Sequence, residues 1–148
     1  TNNYGPRQHP EKAIPCWILA ALSGGPLPVH GEGTAIRDWL FVEDFARGIV
    51  AGLHRWQAQA TWHFAGQQHT ENRRMAGRIN TILGASGLQF GPDRQGQDSR
   101  YALNDMSTRA ALDWAPQVSL EDGLLATIDW YRQHAHLWDG EPLHLPVH

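Results

Sequence analysis

The stretch AIRDWLFVEDFARGIV, at positions 35–50, constrains the fold most, because its hydrophobic period changes halfway along. Its first half alternates, which is typical of a strand that carries Arg37 and Trp39 on one face. Its second half repeats at helical spacing, and Asp44 is placed to cap a helix that runs to about Trp56. A strand followed at once by an amphipathic helix predicts a mixed α/β fold.

Short helices and strands of the same kinds follow each other along the rest of the chain. The further predicted helices cover residues 10–23, 73–83, 105–112 and 119–134. The further predicted strands are LPVHGEG, TWHFAG and LQF, and Gly31-Glu32-Gly33 reads as a hairpin turn. Asn72 and Ser119 are placed to cap helices, and Gly84 to end one. Because long β-branched runs are lacking, we expect short strands, about five helices and no complete Rossmann sheet.

Length and composition limit the function classes. The 148 residues have the length of one domain, and we expect residues 1–138 to form it, with a loosely ordered tail at 139–148. A formal charge of -3 argues against nucleic acid as a partner. No apolar run reaches the ~20 residues of a membrane-spanning helix, so no membrane partner is expected. A single cysteine, Cys16, favours the reducing cytoplasm.

Few side chains have the spacing of a catalytic or metal site. The serines lie in turn or cap positions, and none occupies a Gly-x-Ser-x-Gly elbow. Cys16 falls on the apolar side of its helix, where an inert buried thiol is expected. The nine histidines are scattered, without the His-Glu-x-x-His pattern or finger spacing. We therefore expect no catalytic residue and no metal ligand in this chain.

Two arginines and one helix start predict a site for an anion. Arg37 lies in a strand and Arg94 in a loop, and each guanidinium offers a fork of donors to a phosphate. Asn72 adds a side-chain amide at a helix start, where backbone N–H groups favour negative charge. Spacing alone leaves an alternative open: Arg37 pairs with a carboxylate across the sheet and Asn72 is only a cap.

Several segments, taken in order, resemble the C-terminal part of the dTDP-glucose 4,6-dehydratase family, within the extended short-chain dehydrogenases. The matching segments are TNNYGPRQHPEKAIP, GGPLPVHGEGTAIRDWLFVEDFARGI, TWHFAG, the helix at Asn72, DRQGQDSRYALN, ALDWAPQVSLEDGL and TIDWYRQH. The stretch RDW-x-x-VxD is shared by many nucleotide-sugar epimerases and dehydratases, whereas NNYGPRQ together with PEK is more specific. The resemblance implies that the chain is a nucleotide-sugar-binding lobe of a larger enzyme.

The resemblance also implies where the cofactor and the substrate would lie. Asn2 would lie near the nicotinamide of NAD and Asn3 near the sugar, while Lys12 and Ala13 would lie along the diphosphate. Seven residues would contact the rest of the nucleotide: Pro28, Val29, His30, Arg37, Asn72, Arg94 and Gln97. The first three would border the thymine, and the three that follow would hold the pyrophosphate and the ribose.

The sequence also departs from the family's pattern. His30 replaces the usual Tyr beside the base, and Gln95 and Gln97 replace Pro and His in the loop that usually reads DRPGHD. A glutamine side chain still donates hydrogen bonds, so Gln97 can replace that His. The family's reaction is an NAD-dependent dehydration of dTDP-glucose to the 4-keto-6-deoxy sugar. This sequence has no glycine-rich dinucleotide turn and no Tyr-x-x-x-Lys pair, so we expect these 148 residues to be inactive alone.

The same residues leave two alternatives to a substrate-binding lobe. The chain is a catalytically dead, truncated interaction protein, or it is a fragment of a related UDP-sugar epimerase or decarboxylase. In the family the Rossmann half covers part of this lobe, so we expect the apolar faces at Trp17, Ile18 and Val42–Val50 to be exposed without it. Such surfaces favour association, either with the missing half or with a second copy in a homo-oligomer.

Overall fold

The structure is a computed structural model that describes residues 1–55 and 60–138. Its helices are α1 (Ala13–Leu22), α2 (Val42–His54), α3 (Asn72–Leu83), α4 (Met106–Leu112) and α5 (Leu120–His134), with a 3-10 turn at Ala135–Trp138. Its strands are β1 (Asn2–Tyr4), β2 (Leu27–His30), β3 (Ile36–Phe41), β4 (His69–Glu71), β5 (Leu88–Gly91) and β6 (Arg100–Tyr101). Five helices among short strands confirm the predicted mixed α/β class. The predicted tail at 139–148 lies outside the described residues.

Strand β3 organises the larger of two small sheets. Its second half pairs in parallel with β1, so that Asn2 is the partner of Trp39. Its first half pairs with β4 in antiparallel and with β6 in parallel orientation. The second sheet contains β2 and β5, paired in parallel. The short chain segment between β2 and β3 therefore passes from one sheet to the other.

This connection corrects the predicted hairpin. Gly31 and Gly33 adopt positive φ angles of 52° and 66°, as a tight turn requires, but the flanking strands do not pair with each other. Gly33 also has little free space, because an added Cβ would lie 2.6 Å from a Val29 methyl group. The turn packs against its surroundings instead of closing a hairpin.

The predicted strand TWHFAG, residues 61–66, is also wrong, because this segment is irregular. Two of its backbone amides donate to buried carboxylates. Ala65 N donates to Asp105 at 3.1 Å, and Gly66 N donates to Asp38 at 3.1 Å. The strand that pairs with β3 begins only at His69.

Helix ends test the predicted caps. The Ser119 hydroxyl accepts a hydrogen bond from Asp122 N at 3.1 Å, and Gly84 ends α3 in the left-handed conformation, as predicted. Asp44 was expected to cap α2, and this is wrong. Helix α2 begins at Val42, and the buried Asp44 carboxylate accepts hydrogen bonds from Gln117 N at 2.8 Å and Val118 N at 3.0 Å.

The main core lies among the helices α1, α3 and α5 and the strands of both sheets, with β1 and β3 from the larger and β2 from the smaller sheet. Trp17 and Ile18 belong to it, with 1% and 0% of their surface exposed. The prediction that this face of α1 is exposed is therefore wrong, because α3 and α5 cover it. On α2 the prediction holds in part, since Ile49 is 44% and Val50 51% exposed. Within the described ranges no helix is long and apolar enough to cross a membrane.

Candidate functional site

One cleft of about 330 Å³ brings together most of the predicted site residues. Its walls come from the strands β1, β2 and β3 and from the first halves of the helices α1 and α3. Nine of the eleven predicted residues line it: Asn2, Asn3, Lys12, Ala13, Val29, His30, Arg37, Asn72 and Arg94. Its volume lies at the lower end of the range typical of small-molecule sites.

Two predicted residues do not line this cleft. The Pro28 carbonyl accepts a hydrogen bond from Trp17 Nε1 at 2.6 Å and so holds the Trp17 side chain, which does line the cleft. Gln97 lines a smaller cavity of about 160 Å³ that shares His30 with the cleft. There its side chain donates to Asp93 at 2.5 Å. Gln97 therefore lies next to the cleft, beyond His30.

Five lining residues were missed in the sequence: Gln8, Glu11, Ile14, Trp17 and Trp39. Gln8 closes one side, because its amide donates to Asn3 O at 2.8 Å. Trp39 lies two residues after Arg37 in β3, and alternate side chains of a strand point to the same face of the sheet, so the sequence pattern places both on one face. That signal was available, but a large aromatic residue in a strand was interpreted only as core.

The charged side chains of the lining are mainly positive. Lys12, Arg37 and Arg94 carry positive charge, against one carboxylate at Glu11, whose oxygen lies 2.8 Å from Lys12 Nζ. The Arg37 guanidinium donates to two backbone carbonyls, Ile36 O at 2.9 Å and Asp98 O at 2.8 Å. Because a carbonyl carries no formal charge, neither of these two contacts neutralises the positive charge of Arg37. The alternative in which it pairs with a carboxylate is not what the structure shows.

The start of α3 contributes differently from the prediction. Asn72 is the first helical residue and makes no side-chain cap, so the predicted capping role is wrong. The first two backbone amides are also already used, because Asn72 N donates to Ala35 O and Arg73 N to Gly33 O. Its side chain is the part of Asn72 that remains for a ligand.

Buried polar atoms without partners concentrate at this cleft. Asn2 Oδ1, Asn3 Oδ1, Trp39 Nε1 and Asn72 Oδ1 are all buried and have no hydrogen-bond partner among the described residues. All four residues line the cleft. A buried polar atom without a partner costs about 1–3 kcal/mol, so native proteins usually satisfy such atoms. The cleft therefore has the polar lining expected where a ligand or bound water supplies the missing partners.

The buried titratable groups have structural partners away from the cleft. Asp38 accepts from Gly66 N and Gln68 N, and Asp105 from Ala65 N and Arg109 Nε. Burial raises the pKa of the Tyr4 hydroxyl, which donates to Leu120 O at 3.3 Å. Within residues 1–55 and 60–138, no three His, Cys, Asp or Glu side chains group closely enough to hold a metal ion.

Comparisons with known proteins identify the proteins that this chain resembles. Residues 1–64 match the model of the NAD dependent epimerase/dehydratase family. A dTDP-glucose 4,6-dehydratase of Streptomyces griseus is 39% identical over 145 residues, which are 97% of this chain and 44% of that protein. A solved dTDP-glucose 4,6-dehydratase from Streptomyces venezuelae, with NAD and TYD bound, superposes with a TM-score of 0.90 at 41% identity. That match covers 97% of this chain and 44% of the solved one.

A third relative extends the same pattern. The dTDP-glucose 4,6-dehydratase of Bacillus anthracis, solved in complex with NAD, has a TM-score of 0.88 and 36% identity. The match covers 97% of this chain and 45% of that one. The chain thus spans less than half the length of the relatives it matches. The resemblance drawn from the sequence motifs is confirmed.

Proposed function

We propose that this chain binds the nucleotide diphosphate of dTDP-glucose, as the substrate-binding part of a dTDP-glucose 4,6-dehydratase. Residues 1–138 make up that part. The complete enzyme converts the sugar by NAD-dependent dehydration to its 4-keto-6-deoxy form. The observation that carries the proposal is the cleft that Lys12, Arg37 and Arg94 line together with the side chain of Asn72.

The diphosphate fits the positive side of the cleft. Three cations against one carboxylate favour a ligand of about two negative charges, and the guanidinium groups offer paired donors that match phosphate oxygens. Arg37 is held in place by its bonds to Ile36 O and Asp98 O, so less conformational entropy is lost when a ligand binds. The relatives support the same ligand class, since they are dTDP-glucose 4,6-dehydratases.

The base fits at strand β2. Val29 is 3% exposed and gives an apolar wall, while His30 connects the cleft with the cavity of Gln97. His30 Nδ1 lies 3.3 Å from Pro92 O, so the loop after β5 holds the imidazole in place. A thymine methyl group gains only about 1 kcal/mol in an apolar pocket. We therefore expect a modest preference for dTDP over UDP.

Residues 1–55 and 60–138, which the structure describes, do not amount to a site for NAD. In the described ranges no strand leads through a glycine-rich turn into a helix, which is how a dinucleotide's phosphates are held. Asn2 is the one residue that we assign beside the nicotinamide. NAD accepts a hydride in reactions of this class, and the protein groups that position it belong to another part of the enzyme.

The exposed face of α2 supports a partner. Ile49, Val50 and Leu53 lie within about one turn of each other and are 44%, 51% and 64% exposed. We propose that the remaining part of the enzyme, or a second copy in a homo-oligomer, covers them. We also propose a cytoplasmic location, which the unpaired Cys16 supports.

Titration calorimetry with dTDP and with UDP tests the proposed function. We expect saturable heat with both ligands and a slightly lower Kd for dTDP. No heat and no NMR shift at millimolar concentrations of either nucleotide would contradict the proposal. A stable dimer indifferent to nucleotides would favour the alternative of an interaction protein.

A further inference from the structure

A second charged cavity, of about 320 Å³, lies away from the cleft. It is formed where β4, β6 and α3 meet around Ile36 of β3. Its lining carries three arginines, Arg74, Arg78 and Arg100, against one carboxylate, Glu71. Among the described residues, none lines both this arginine cavity and the cleft.

Strand register places the arginine cavity on the opposite face of the larger sheet from the cleft. Ile36 has a register partner on each side, Glu71 in β4 and Arg100 in β6, so these three side chains share one face. Arg37 is the next residue of β3, and successive side chains of a strand point to opposite faces. Because Arg37 lines the cleft, the sheet separates its charge from that of Arg100.

Arg100 is positioned by an uncharged partner. Its Nη2 lies 3.1 Å from His69 Nδ1. An arginine side chain has donors only, so this imidazole nitrogen accepts the hydrogen bond and carries no proton. The contact therefore holds the guanidinium at the cavity without neutralising its charge.

The two arginines of α3 keep donors available. Arg74 and Arg78 are four residues apart, a spacing that puts side chains next to each other on a helix surface. Arg74 Nε donates to Glu71 at 3.1 Å, and 74% of the Arg74 side chain is exposed. The Arg78 side chain has no hydrogen-bond or ion-pair partner among the residues that the structure describes. Glu71 also pairs with Arg73, at 2.9 Å, so its charge is shared further.

The charge balance and the donor geometry specify a phosphate group. Three guanidinium groups against one carboxylate leave an excess of positive charge that matches the roughly −1.5 to −2 charge of a phosphate monoester near neutral pH. Guanidinium groups also bind phosphate oxygens through paired, planar donors. We propose that the arginine cavity is a second anion site, which binds a phosphate group, free or as a monoester. The inference goes beyond the proposed function, because it uses none of the residues assigned to the nucleotide.

Phosphate titration of the ¹⁵N-labelled chain tests this site. We expect inorganic phosphate to move the backbone amide cross-peaks of Thr70, Arg78 and Arg100 saturably, and sodium chloride at equal ionic strength to leave them nearly in place. Equal shifts with chloride, or no shift with phosphate at tens of millimolar, would overturn the proposal. Methyl phosphate distinguishes the two sources of the group. Binding as tight as that of phosphate indicates a monoester, and clearly weaker binding indicates free phosphate.

Substitutions at the cavity supply a second readout. Arg78→Ala, at an exposed position of α3, and Arg100→Ala should each weaken phosphate binding about fivefold to tenfold, because each removes a charge-assisted hydrogen bond. Glu71→Gln removes the opposing carboxylate and should strengthen binding about threefold. Arg132→Ala is the control, since it changes the net charge equally but on α5, beside Asp129. Equal weakening by Arg132→Ala and Arg78→Ala would overturn the proposal, because net charge alone would then explain the effect.

The outcomes separate this inference from the proposed function. If phosphate moves only cross-peaks of the cleft, such as those of Lys12 and Asn72, the arginine cavity is not a site and the proposed function stands. If phosphate moves the cross-peaks of the arginine cavity while dTDP moves none at the cleft, the proposed function fails and this inference stands.

Discussion

Arg37 Nη1 donates a hydrogen bond to the backbone carbonyl of Asp98 at 2.8 Å. This bond ties the cation on β3 to the loop that carries Arg94 and Gln97. Both sides of the proposed diphosphate site are therefore linked before any ligand binds. Because Arg37 Nη1 also donates to Ile36 O, two backbone carbonyls hold this end of the guanidinium.

Removal of the Arg37 side chain should weaken nucleotide binding. Arg37→Ala removes a charge-assisted contact with phosphate and the anchor of the 93–98 loop, so we expect the Kd for dTDP to rise about tenfold or more. Arg37→Lys keeps the charge without the planar fork and should give an intermediate value. Calorimetric titration measures both. Arg78→Ala, which removes an arginine from a different cavity, is the control, and a Kd equally raised in it would refute the specific role of Arg37.

The sequence predicted the helices well because their signals are local. Ser119 and Gly84 act on their own helices, and hydrophobic spacing depends only on neighbours in the chain. The failures involve partners distant in sequence. Asp44 satisfies amides 73 and 74 residues away, which no capping rule detects.

The strand predicted at TWHFAG fails for the same reason. Trp62 and Phe64 do alternate, and both pack against the small core of Leu40 and Trp114. The backbone amides that follow donate to the carboxylates of Asp38 and Asp105, so a strand-like side-chain pattern occurs without strand pairing. At the cleft, residue types indicated the cations, whereas the unpartnered atoms of Asn2 and Trp39 became visible only in the folded chain.

Loss of the Asp44 carboxylate should destabilise the fold strongly. Asp44→Ala leaves the partly buried amides of Gln117 and Val118 without their acceptor and removes the ion pair with Arg47, so we expect a loss of about 2–4 kcal/mol in the free energy of unfolding. Urea denaturation followed by circular dichroism measures this value. Glu43→Ala, an exposed carboxylate one residue earlier, should change it by less than about 0.5 kcal/mol. Similar values for the two variants would contradict the role of Asp44.

Two glycines should respond to alanine in opposite directions. At Gly66 an added Cβ would lie 1.8 Å from Trp39 O, so Gly66→Ala should prevent stable folding or shift β3. At Gly77, within α3, a Cβ meets nothing within 4 Å, and alanine favours a helix by roughly 0.5–1 kcal/mol. Thermal denaturation should show a raised Tm for Gly77→Ala. A Tm unchanged in Gly66→Ala would show that β3 and this segment are not in contact.

Burial of Cys16 makes stability depend on pH at the alkaline end. Burial raises the pKa of its thiol from 9.0 to about 12, so folding favours the neutral form. The stability from this group is complete below pH 9.0 and is lost as pH rises toward about 12. Urea denaturation between pH 9 and 10 should show a falling free energy of unfolding, and Cys16→Ala should have a smaller slope. Equal slopes in the two proteins would mean that the thiol ionises as readily folded as unfolded.

The convergence of Arg37 and Arg94 on one diphosphate is tested most directly by a crystal structure of this chain grown with dTDP. The account predicts diphosphate oxygens within hydrogen-bond distance of both guanidinium groups, with the base toward Val29 and His30. A nucleotide bound elsewhere, or contacting neither arginine, would contradict it.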